Sequence, residues 1–477
     1  MAIPWLTFET LLPLLLNAVA AACILVLVVR IAITRPGLAM IAFLPFFLAV
    51  WRLSSVFYID VFGPVPSEQL ERYVGPGFAI LPLVVCLGLF IGSLLVSFRP
   101  ERLQRVAVEP RRSLAAIVPG GHLDLSNLAF WIVLTYVLGL WIELRIRGPV
   151  PLFAGIERFD YTREYGGPLH LRLIEWGPML ALQLGLFMIL PVIRGGRFDL
   201  RFAALLGVLL IYLFTVGHRF SSFLAYTSFF VIPLGALLIG GRAKGLTGGN
   251  LARPMRYLIF AAVALVFLTA MALVHSYLVV RASEIDQLEF KLTQRILVQQ
   301  GEMWWATYER VFVHGDWNGP FALFKLLVDP FNPASNSTMQ FLMEQAIPLG
   351  RAHELMARGQ TYTGGWPEVL FEIGGPVGGF VLVVASAILF AEFMFLLMRC
   401  MLEERYATCL FLTPILYAIE VMAVSGMLNS FIQPTFLVKL AAAILVYVME
   451  DRWRASCLAC PSNSTAATGL TREDATT

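Results

Sequence analysis

Apolar runs of about 20 residues recur along the whole chain, and mostly short polar segments separate them. A helix rises about 1.5 Å per residue, so each run is long enough to cross a hydrocarbon layer of roughly 30 Å. The runs are apolar on every side, whereas the strands of a membrane barrel would alternate apolar and polar positions. The pattern therefore predicts an all-α fold, a polytopic transmembrane helix bundle of about 11 spans. We place these spans at residues 8–30, 37–59, 75–98, 125–146, 173–193, 200–217, 220–240, 256–280, 368–398, 406–428 and 432–450.

Composition agrees with this pattern. Of 477 residues, 58% are hydrophobic and only 14% are charged, and the mean hydropathy is +0.76. A chain of this length would otherwise suggest several soluble domains. The composition excludes that class, and nucleic acid is not a suitable partner.

The basic residues of the short loops predict the orientation, because such loops resist translocation. Arginine is concentrated in every second short connection, at residues 99–112, 194–201, 242–256 and 399–405. The short connections on the other side contain only Arg72 and Arg219. We therefore expect the N-terminus outside and the C-terminus inside.

Two outer connections are long and charged. The relation between basic residues and orientation holds for short loops and does not apply to them. Residues 281–367 show apolar positions at three- and four-residue spacing, which predicts amphipathic helices folded as a cap. We thus divide the chain into four parts. These are residues 1–280 with spans 1–8 and the outer loop 147–172, the cap at 281–367, residues 368–450 with spans 9–11, and a disordered inner tail at 451–477 rich in Ser, Thr and Ala.

The outer loop 147–172 contains the clearest candidate chemistry. After the bend Gly148-Pro149-Val150-Pro151, Arg158 and Arg163 flank Tyr161. A guanidinium offers a planar fork of donors that binds phosphate oxygens, and it stays charged at any relevant pH. Local ion pairs or anchoring at lipid headgroups are the alternative, and both interpretations stay open.

Two further polar segments lie at outer span ends. Gly217-His218-Arg219 separates two predicted spans, and Arg219 could alternatively snorkel to the interface. Glu368 and Glu372 are four residues apart, hence on one helical face at the start of a span, where carboxylates usually face a wet cavity or a cation. Five of the six histidines also fall at or beyond outer ends: His170, His218, His275, His314 and His353. These positions favour an outward-facing polar chamber.

Motifs for metals and nucleotides are missing from the sequence. The outer loops contain no HExxH, no DxD and no dense cluster of His and Cys, and the chain has no P-loop or dinucleotide fingerprint. We expect neither a metal nor a cofactor.

The chain resembles the Wzy-type O-antigen polymerases, also called oligosaccharide repeat unit polymerases. The resemblance rests on the plan of spans, the outer Gly-Pro-x-Pro-Leu-Phe turn at 148–153 before the arginines, and the Glu- and Gly-rich entry to the span at 368. The family's Gly-x-Arg-Ser start of a middle span is imperfect here, because the sequence reads Gly217-His218-Arg219-Phe220-Ser221.

The resemblance implies a metal-independent membrane glycosyltransferase of the GT-C kind at the periplasmic face of a bacterial inner membrane. It would polymerise polyprenyl diphosphate-linked oligosaccharides into O-antigen or exopolysaccharide, with membrane lipid, a chain-length regulator and a flippase as candidate partners. Diphosphate binding would fall to Arg158, Arg163 and Arg219. Catalysis at the attacking hydroxyl would fall to Glu372, His353 or His314. Other substrate contacts would come from Tyr161, Arg351, Arg358, Glu368 and Trp366.

Three alternatives stay open at this point. An O-antigen ligase would share the donor and the geometry but would use a lipid A core as acceptor. A transporter or flippase of lipid-linked glycans would place ionisable residues near the middle of its spans and often shows two similar halves. A non-catalytic partner of a polysaccharide machine would tolerate replacement of the charges in the cap.

Overall fold

Helices make up almost all of the described chain. The computed structural model describes residues 8–99, 102, 125–156, 158–193, 196–218, 220–240, 288–327, 338–357, 364–431 and 433–459. The first half comprises α1 (Phe8–Thr34), α2 (Pro36–Ile41), α3 (Phe43–Phe62), α4 (Ile80–Ser97), α5 (Leu125–Arg147), α6 (Pro151–Ala154), α7 (Arg158–Glu164), α8 (Pro168–Ile193), α9 (Leu200–Thr215) and α10 (Phe220–Ile239). After the cap come α16 (Glu368–Leu402), α17 (Tyr406–Ser425), a short 3₁₀ turn (Leu428–Phe431) and α18 (Pro434–Ala459).

By length and composition, 8 helices in the described part of the chain could cross a membrane. They cover Leu14–Thr34, Phe43–Phe62, Ile80–Ser97, Ser126–Ala154, Pro168–Ile193, Ser222–Ile239, Glu368–Leu402 and Tyr406–Ser425. Two more predicted spans fall on α9, which is a shorter apolar helix, and on α18, which includes Lys439 and a charged last part. The predicted span 256–280 lies outside the described residues. The predicted all-α polytopic helix bundle is confirmed.

Two predicted boundaries differ from the structure. The span predicted at 37–59 is divided into α2 and α3, because Pro45 has no N–H to donate to the carbonyl of Ile41, so α2 ends there and α3 begins at Phe43. Helix α18 continues through Ala459, past the predicted start of the tail at residue 451. It does so because Arg405 pairs with Asp451 at 2.8 Å and holds this segment against the turn between α16 and α17.

Close helix contacts position the bundle. Helices α2 and α10 cross where Gly37 and Gly235 meet, and a Cβ on Gly235 would lie 2.7 Å from the carbonyl oxygen of Gly37. Glycines at a crossing let two helix backbones approach closely. Close packing then holds the helices together, because the hydrophobic effect does not drive helix association within lipid. The α2–α10 crossing therefore depends on both glycines.

A buried hydrogen bond fixes the relative height of α8 and α17. Gln183 Nε2 donates to Thr413 Oγ1 at 2.7 Å. Gln183 lies roughly 22 Å after the start of α8, and Thr413 lies roughly 18 Å before the end of α17, at 1.5 Å per residue. A Cβ on Gly177 would meet Tyr226 and one on Gly185 would meet Phe230, so α8 and α10 run in the same direction. A Cβ on Gly240 would meet Leu402, so the ends of α10 and α16 lie together, and the starts of α8 and α16 are at the same end of the bundle.

In its described residues, 288–327, 338–357 and 364–367, the helical cap has five short α-helices. They are α11 (Leu288–Thr293), continued as a π-helix over Gln294–Val298, α12 (Glu302–Tyr308), continued as a π-helix over Glu309–Val313, α13 (Pro320–Leu327), α14 (Thr338–Ala346) and α15 (Leu349–Ala357). Gly301 separates the first π-helix from α12 and packs against Ser55 of α3. Ser55 Oγ donates to the carbonyls of Leu297 and Val298 at 2.8 and 3.0 Å, so the bundle satisfies carbonyls at the end of the first π-helix.

A β-hairpin joins the cap to the bundle, and the sequence analysis did not predict it. Strands β1 (Val65–Ser67) and β2 (Arg72–Val74) pair antiparallel in the connection between α3 and α4. Ser67 Oγ donates to Glu302 Oε2 at 2.5 Å. Arg72 pairs with Glu309 at 2.7 Å, and Lys291 pairs with Glu68. The hairpin therefore anchors both π-helical segments.

Candidate functional site

Two of the clusters of buried and half-buried polar side chains in the described part of the chain lie close to predicted site residues. We call the first the cap junction, and it consists of Arg52, Arg310, Asn318, Glu368 and Glu372. We call the second the histidine cluster, and it consists of Thr162, His170, Tyr212, His218 and Ser222. The cap junction lies at the start of α16, which meets the end of α17 where a Cβ on Gly426 would lie 2.2 Å from the carbonyl oxygen of Gly365. The histidine cluster lies at the start of α8, so both clusters lie at the same end of the bundle.

Glu372 is the point at which the cap attaches to α16. Pro376 cannot donate to the carbonyl four residues earlier, so the carbonyl of Glu372 has no helical partner. Gly319 N of the cap donates to that carbonyl at 2.9 Å. The carboxylate of Glu372, which is 1% exposed, accepts from Asn318 Nδ2 at 3.1 Å and pairs with Arg310. One residue thus receives three contacts from the cap.

The kink of α16 lies directly after this attachment point. Gly375 has φ +66° and ψ −170°, so the helix is interrupted there. A Cβ on Gly375 would lie 2.8 Å from the ring of Trp317. Glycine is required both for the backbone conformation and for the approach of this ring.

Glu368 forms the second half of the cap junction. Its side chain is fully buried. Its Oε2 accepts from Arg52 Nη1 at 3.2 Å and from Gly365 N at 3.0 Å. Its Oε1 is buried without a hydrogen-bond partner among the described residues. Arg52 comes from the middle part of α3, so α3 and α16 are joined by a buried ion pair.

The histidine cluster joins α7, α8, α9 and α10. Both ring nitrogens of His170 are in contact, with Tyr212 Oη at 3.0 Å and with Thr162 Oγ1 at 3.2 Å. His218 Nδ1 lies 2.9 Å from Ser222 Oγ. The two histidine rings are 6.4 Å apart between centroids. The cluster therefore consists of two hydrogen-bonded groups, one around each histidine, whose rings are in contact.

Glu143 of α5 binds the start of α8 and thereby positions this cluster. Its carboxylate accepts from Leu169 N at 3.1 Å and from His170 N at 2.9 Å. Two N–H groups at the start of α8, which have no helical partner, are satisfied in this way. A Cβ on Gly167 would lie 2.1 Å from Glu143 Cδ, so this glycine admits the carboxylate and thereby sets the position of His170.

Two of the predicted substrate-contacting rings are buried against protein. Tyr161 is 1% exposed, and its ring contacts Tyr165 and His170 at centroid distances of 6.1 and 5.2 Å. Burial raises the pKa of Tyr161, and the charge of Glu143 adds to this shift. Trp366 is also buried and packs edge-on against Phe90. Their roles toward a sugar stay predictions.

The other predicted site residues lie near the surface or outside the described residues. Arg163 is 74% exposed and pairs with Asp160 at 3.0 Å, which fits the local ion-pair alternative. Arg351 joins the cap to the hairpin through Glu71 at 2.8 Å. His353 lies 3.5 Å from Glu344 and is exposed. His314 is exposed at the end of the second π-helix, and Arg219 and Arg358 lie outside the described residues.

Several residues of the two clusters were not singled out from sequence. Arg52 had a usable signal, because a lone arginine inside an apolar span is costly and marks a function or a buried pair. His170 and His218 were noted only for their position at outer ends. Tyr212, Glu143 and Arg310 gave no local signal. Within the described ranges, no group of three or more His, Cys, Asp or Glu residues is arranged to hold a metal ion.

Burial perturbs one carboxyl group outside the spans. Glu302 lies between the cap and the hairpin and is 1% exposed. Burial raises its pKa to about 7, the hydrogen bond from Ser67 opposes this shift, and the charge of Glu68 adds to it. The attachment of the hairpin to the cap therefore includes a carboxyl group that is largely protonated below pH 7.

Comparisons with known proteins give one partial match. A family of unknown function, DUF6418, matches residues 332–440. This segment includes α14, α15, α16 and α17 and therefore both carboxylates of the cap junction. No curated protein and no solved structure matches the chain.

Proposed function

We propose that the protein is a membrane glycosyltransferase that polymerises polyprenyl diphosphate-linked oligosaccharide repeat units at the periplasmic face of a bacterial inner membrane. The growing chain leaves its lipid diphosphate and joins a hydroxyl group of the next lipid-linked unit. Such a reaction needs a cation at the leaving diphosphate, an acceptor for the hydroxyl proton, and access for two lipid tails.

The observation that carries the proposal is the collection of both buried polar clusters at one end of an apolar bundle, beside a folded cap. The reacting atoms of a lipid-linked sugar lie at the membrane surface, so a site for them belongs at the helix ends. A transporter would instead need its ionisable residues near the middle of the spans. Arg52 lies in the middle of α3, but the other members of both clusters lie at helix ends or in the cap, and this distribution supports the enzyme over that alternative.

Arginine is the residue type suited to the leaving group. Arg158 begins α7 beside the histidine cluster, and Arg163 lies at the opposite end of the same short helix. We expect Arg158→Ala and Arg219→Ala to abolish long polymers and to leave single repeat units on the lipid. Arg163→Ala should have the smallest effect of the three, because its guanidinium is exposed and locally paired. Arg158→Lys should restore little, because a point charge does not reproduce a forked contact.

Deletion of the gene followed by gel analysis of surface glycans tests the proposal. A polymerase predicts loss of the long-chain ladder with one attached unit retained. Complete loss of attached glycan would instead indicate the O-antigen ligase or a transporter. A normal ladder in the deletion strain and in the arginine variants would contradict the proposal.

A further inference from the structure

His218 is held in a fixed position at the turn between α9 and α10. Gly217 adopts φ +80°, which ends α9, and His218 N donates to the carbonyl of Leu213 at 2.9 Å. A left-handed residue at this position is typical of helix C-termini. The turn directs the His218 ring toward His170 and not toward lipid.

The two histidines differ in how many of their ring nitrogens have hydrogen-bond partners. Both ring nitrogens of His170 have partners within the protein. His218 uses Nδ1 with Ser222, whereas its Nε2 is buried and has no hydrogen-bond partner in the described part of the chain. Buried polar atoms in folded proteins almost always have a partner. The unsatisfied nitrogen therefore points to a ligand atom.

The surroundings of His218 determine its protonation. A Cβ on Gly217 would lie 3.8 Å from the Cβ of Arg158, so the arginine and the ring belong to one small region. Burial, with smaller contributions from the charges of Arg158 and His170, lowers the pKa of His218 to about 3. The ring is neutral at pH 7. In the tautomer in which Nδ1–H donates to Ser222, the lone pair is on Nε2.

We propose that His218 Nε2 accepts the proton of the attacking sugar hydroxyl while Arg158 binds the leaving diphosphate, an inference that rests on the proposed function. The hydroxyl oxygen bonds to the anomeric carbon as its proton passes to Nε2. The bond from that carbon to the diphosphate oxygen breaks, and the electron pair leaves with the polyprenyl diphosphate. The proton then passes from His218 to water.

Donor binding activates this base. Burial is the largest cause of the weak proton affinity of the ring, and the charge of Arg158 is the second. The negative diphosphate offsets the charge of Arg158, so this second contribution is reduced when the donor is present. The residues that the sequence predicts to act on the hydroxyl have other surroundings than His218. Glu372 is engaged by Arg310 and Asn318, and His353 is exposed beside Glu344.

The experiment uses the full-length protein in liposomes with polyprenyl diphosphate-linked repeat units. We expect His218→Ala to lower the rate of extension roughly 100-fold or more, with binding of polyprenyl diphosphate unchanged within about twofold. Added imidazole should fill the vacated space and restore part of the rate. Glu175→Gln, which alters an exposed ion pair on α8, is the matched control and should keep the wild-type rate.

The outcomes distinguish failure of the base assignment from failure of the proposed function. If wild-type protein extends the substrate and His218→Ala does so at a similar rate, the base assignment is overturned and the function stands. If wild-type protein does not extend it, the proposed function fails. Loss of both rate and binding without rescue by imidazole would indicate a structural role and also overturn the assignment. Should His218→Ala not fold, His218→Gln replaces it, and a near wild-type rate there is decisive against the inference, because an amide does not accept a proton at neutral pH.

Discussion

The cap junction and the histidine cluster lie at the same end of the bundle but use their polar groups differently. In the cap junction each buried carboxylate faces an arginine from another element, as with Glu368 and Arg52. The histidine cluster contains hydroxyl groups and imidazole rings, the ring of His218 is neutral at pH 7, and its Nε2 has no partner among the described residues. Glu368 Oε1 of the cap junction also lacks a partner among the described residues, but the other oxygen of that carboxylate is held by Arg52 and by Gly365 N. Paired charges hold elements together, whereas the lone pair of an uncharged ring nitrogen can accept a proton from a ligand. The first cluster is thus suited to docking the cap and the second to chemistry.

The largest expected effect comes from breaking the ion pair between cap and bundle. Arg310→Ala leaves the carboxylate of Glu372 buried without its cation, and loss of one partner of a buried pair costs about 3–5 kcal/mol. Thermal and denaturant unfolding in detergent micelles measures the change in the free energy of unfolding. The matched control is Arg172→Ala, whose pair with Glu175 is exposed and should contribute at most about 1 kcal/mol. Equal losses in both variants would contradict the docking role.

The hairpin contact gives a prediction that depends on pH. The carboxyl group of Glu302 has a pKa of 4.5 in the unfolded chain and of about 7 in the folded protein. Below pH 4.5 the carboxyl is protonated in both states, and between 4.5 and 7 it ionises only in the unfolded state, so stability falls as the pH rises. Glu302→Gln should therefore match wild type near pH 4.5 and be more stable by up to about 3 kcal/mol at pH 8.

Unfolding curves of wild type and Glu302→Gln at pH 4.5, 6 and 8 test this dependence. Glu289→Gln is the control, because Glu289 is an exposed glutamate of α11 and should show no pH-dependent difference. A constant offset between Glu302→Gln and wild type at all three pH values would refute the assigned protonation.

Sequence reasoning located the spans well because the hydrocarbon layer imposes one requirement on every crossing helix. Each predicted span in the described part of the chain falls on one helix, except the span 37–59, which is divided between α2 and α3. The hairpin was missed because each of its strands has three residues and the first contains Pro66. Its stabilising partners, such as Glu302, lie more than 200 residues away in the chain. No local pattern records such contacts.

The site was only partly predictable for a similar reason. Glu368 and Glu372 could be found because acids at the start of an apolar span are costly. Arg158 and Tyr161 could be found from their motif. The contact between His170 and Tyr212 joins residues 42 positions apart, and only tertiary structure shows that His218 keeps a nitrogen without a partner. The sequence identifies charged residues that stand in apolar segments. The contacts that each residue makes depend on the fold.

The kink of α16 gives a smaller effect on stability. Gly375→Ala forces a side chain into a left-handed backbone conformation and against the ring of Trp317, which should cost about 2 kcal/mol. Gly378→Ala is the matched control three residues later, because a Cβ there meets nothing within 4 Å. That variant should be neutral or slightly more stable. Similar unfolding midpoints for both variants would show that the kink does not depend on Gly375.

The smallest effect tests the histidine cluster without removing its base. Ser222→Ala takes away the partner of His218 Nδ1, so the ring loses a hydrogen bond that fixes its tautomer and orientation. A bond of this kind contributes about 1 kcal/mol, which corresponds to a roughly fivefold lower rate of chain extension. Ser228→Ala is the matched control on the same helix, because its hydroxyl bonds only to the carbonyl of Leu224. If the two serine variants extend lipid-linked repeat units at the same rate, the orientation of His218 does not limit the reaction. A selective loss in Ser222→Ala, with polyprenyl diphosphate binding retained, would place the proton acceptor in the histidine cluster and leave the cap junction as the structural element of the pair.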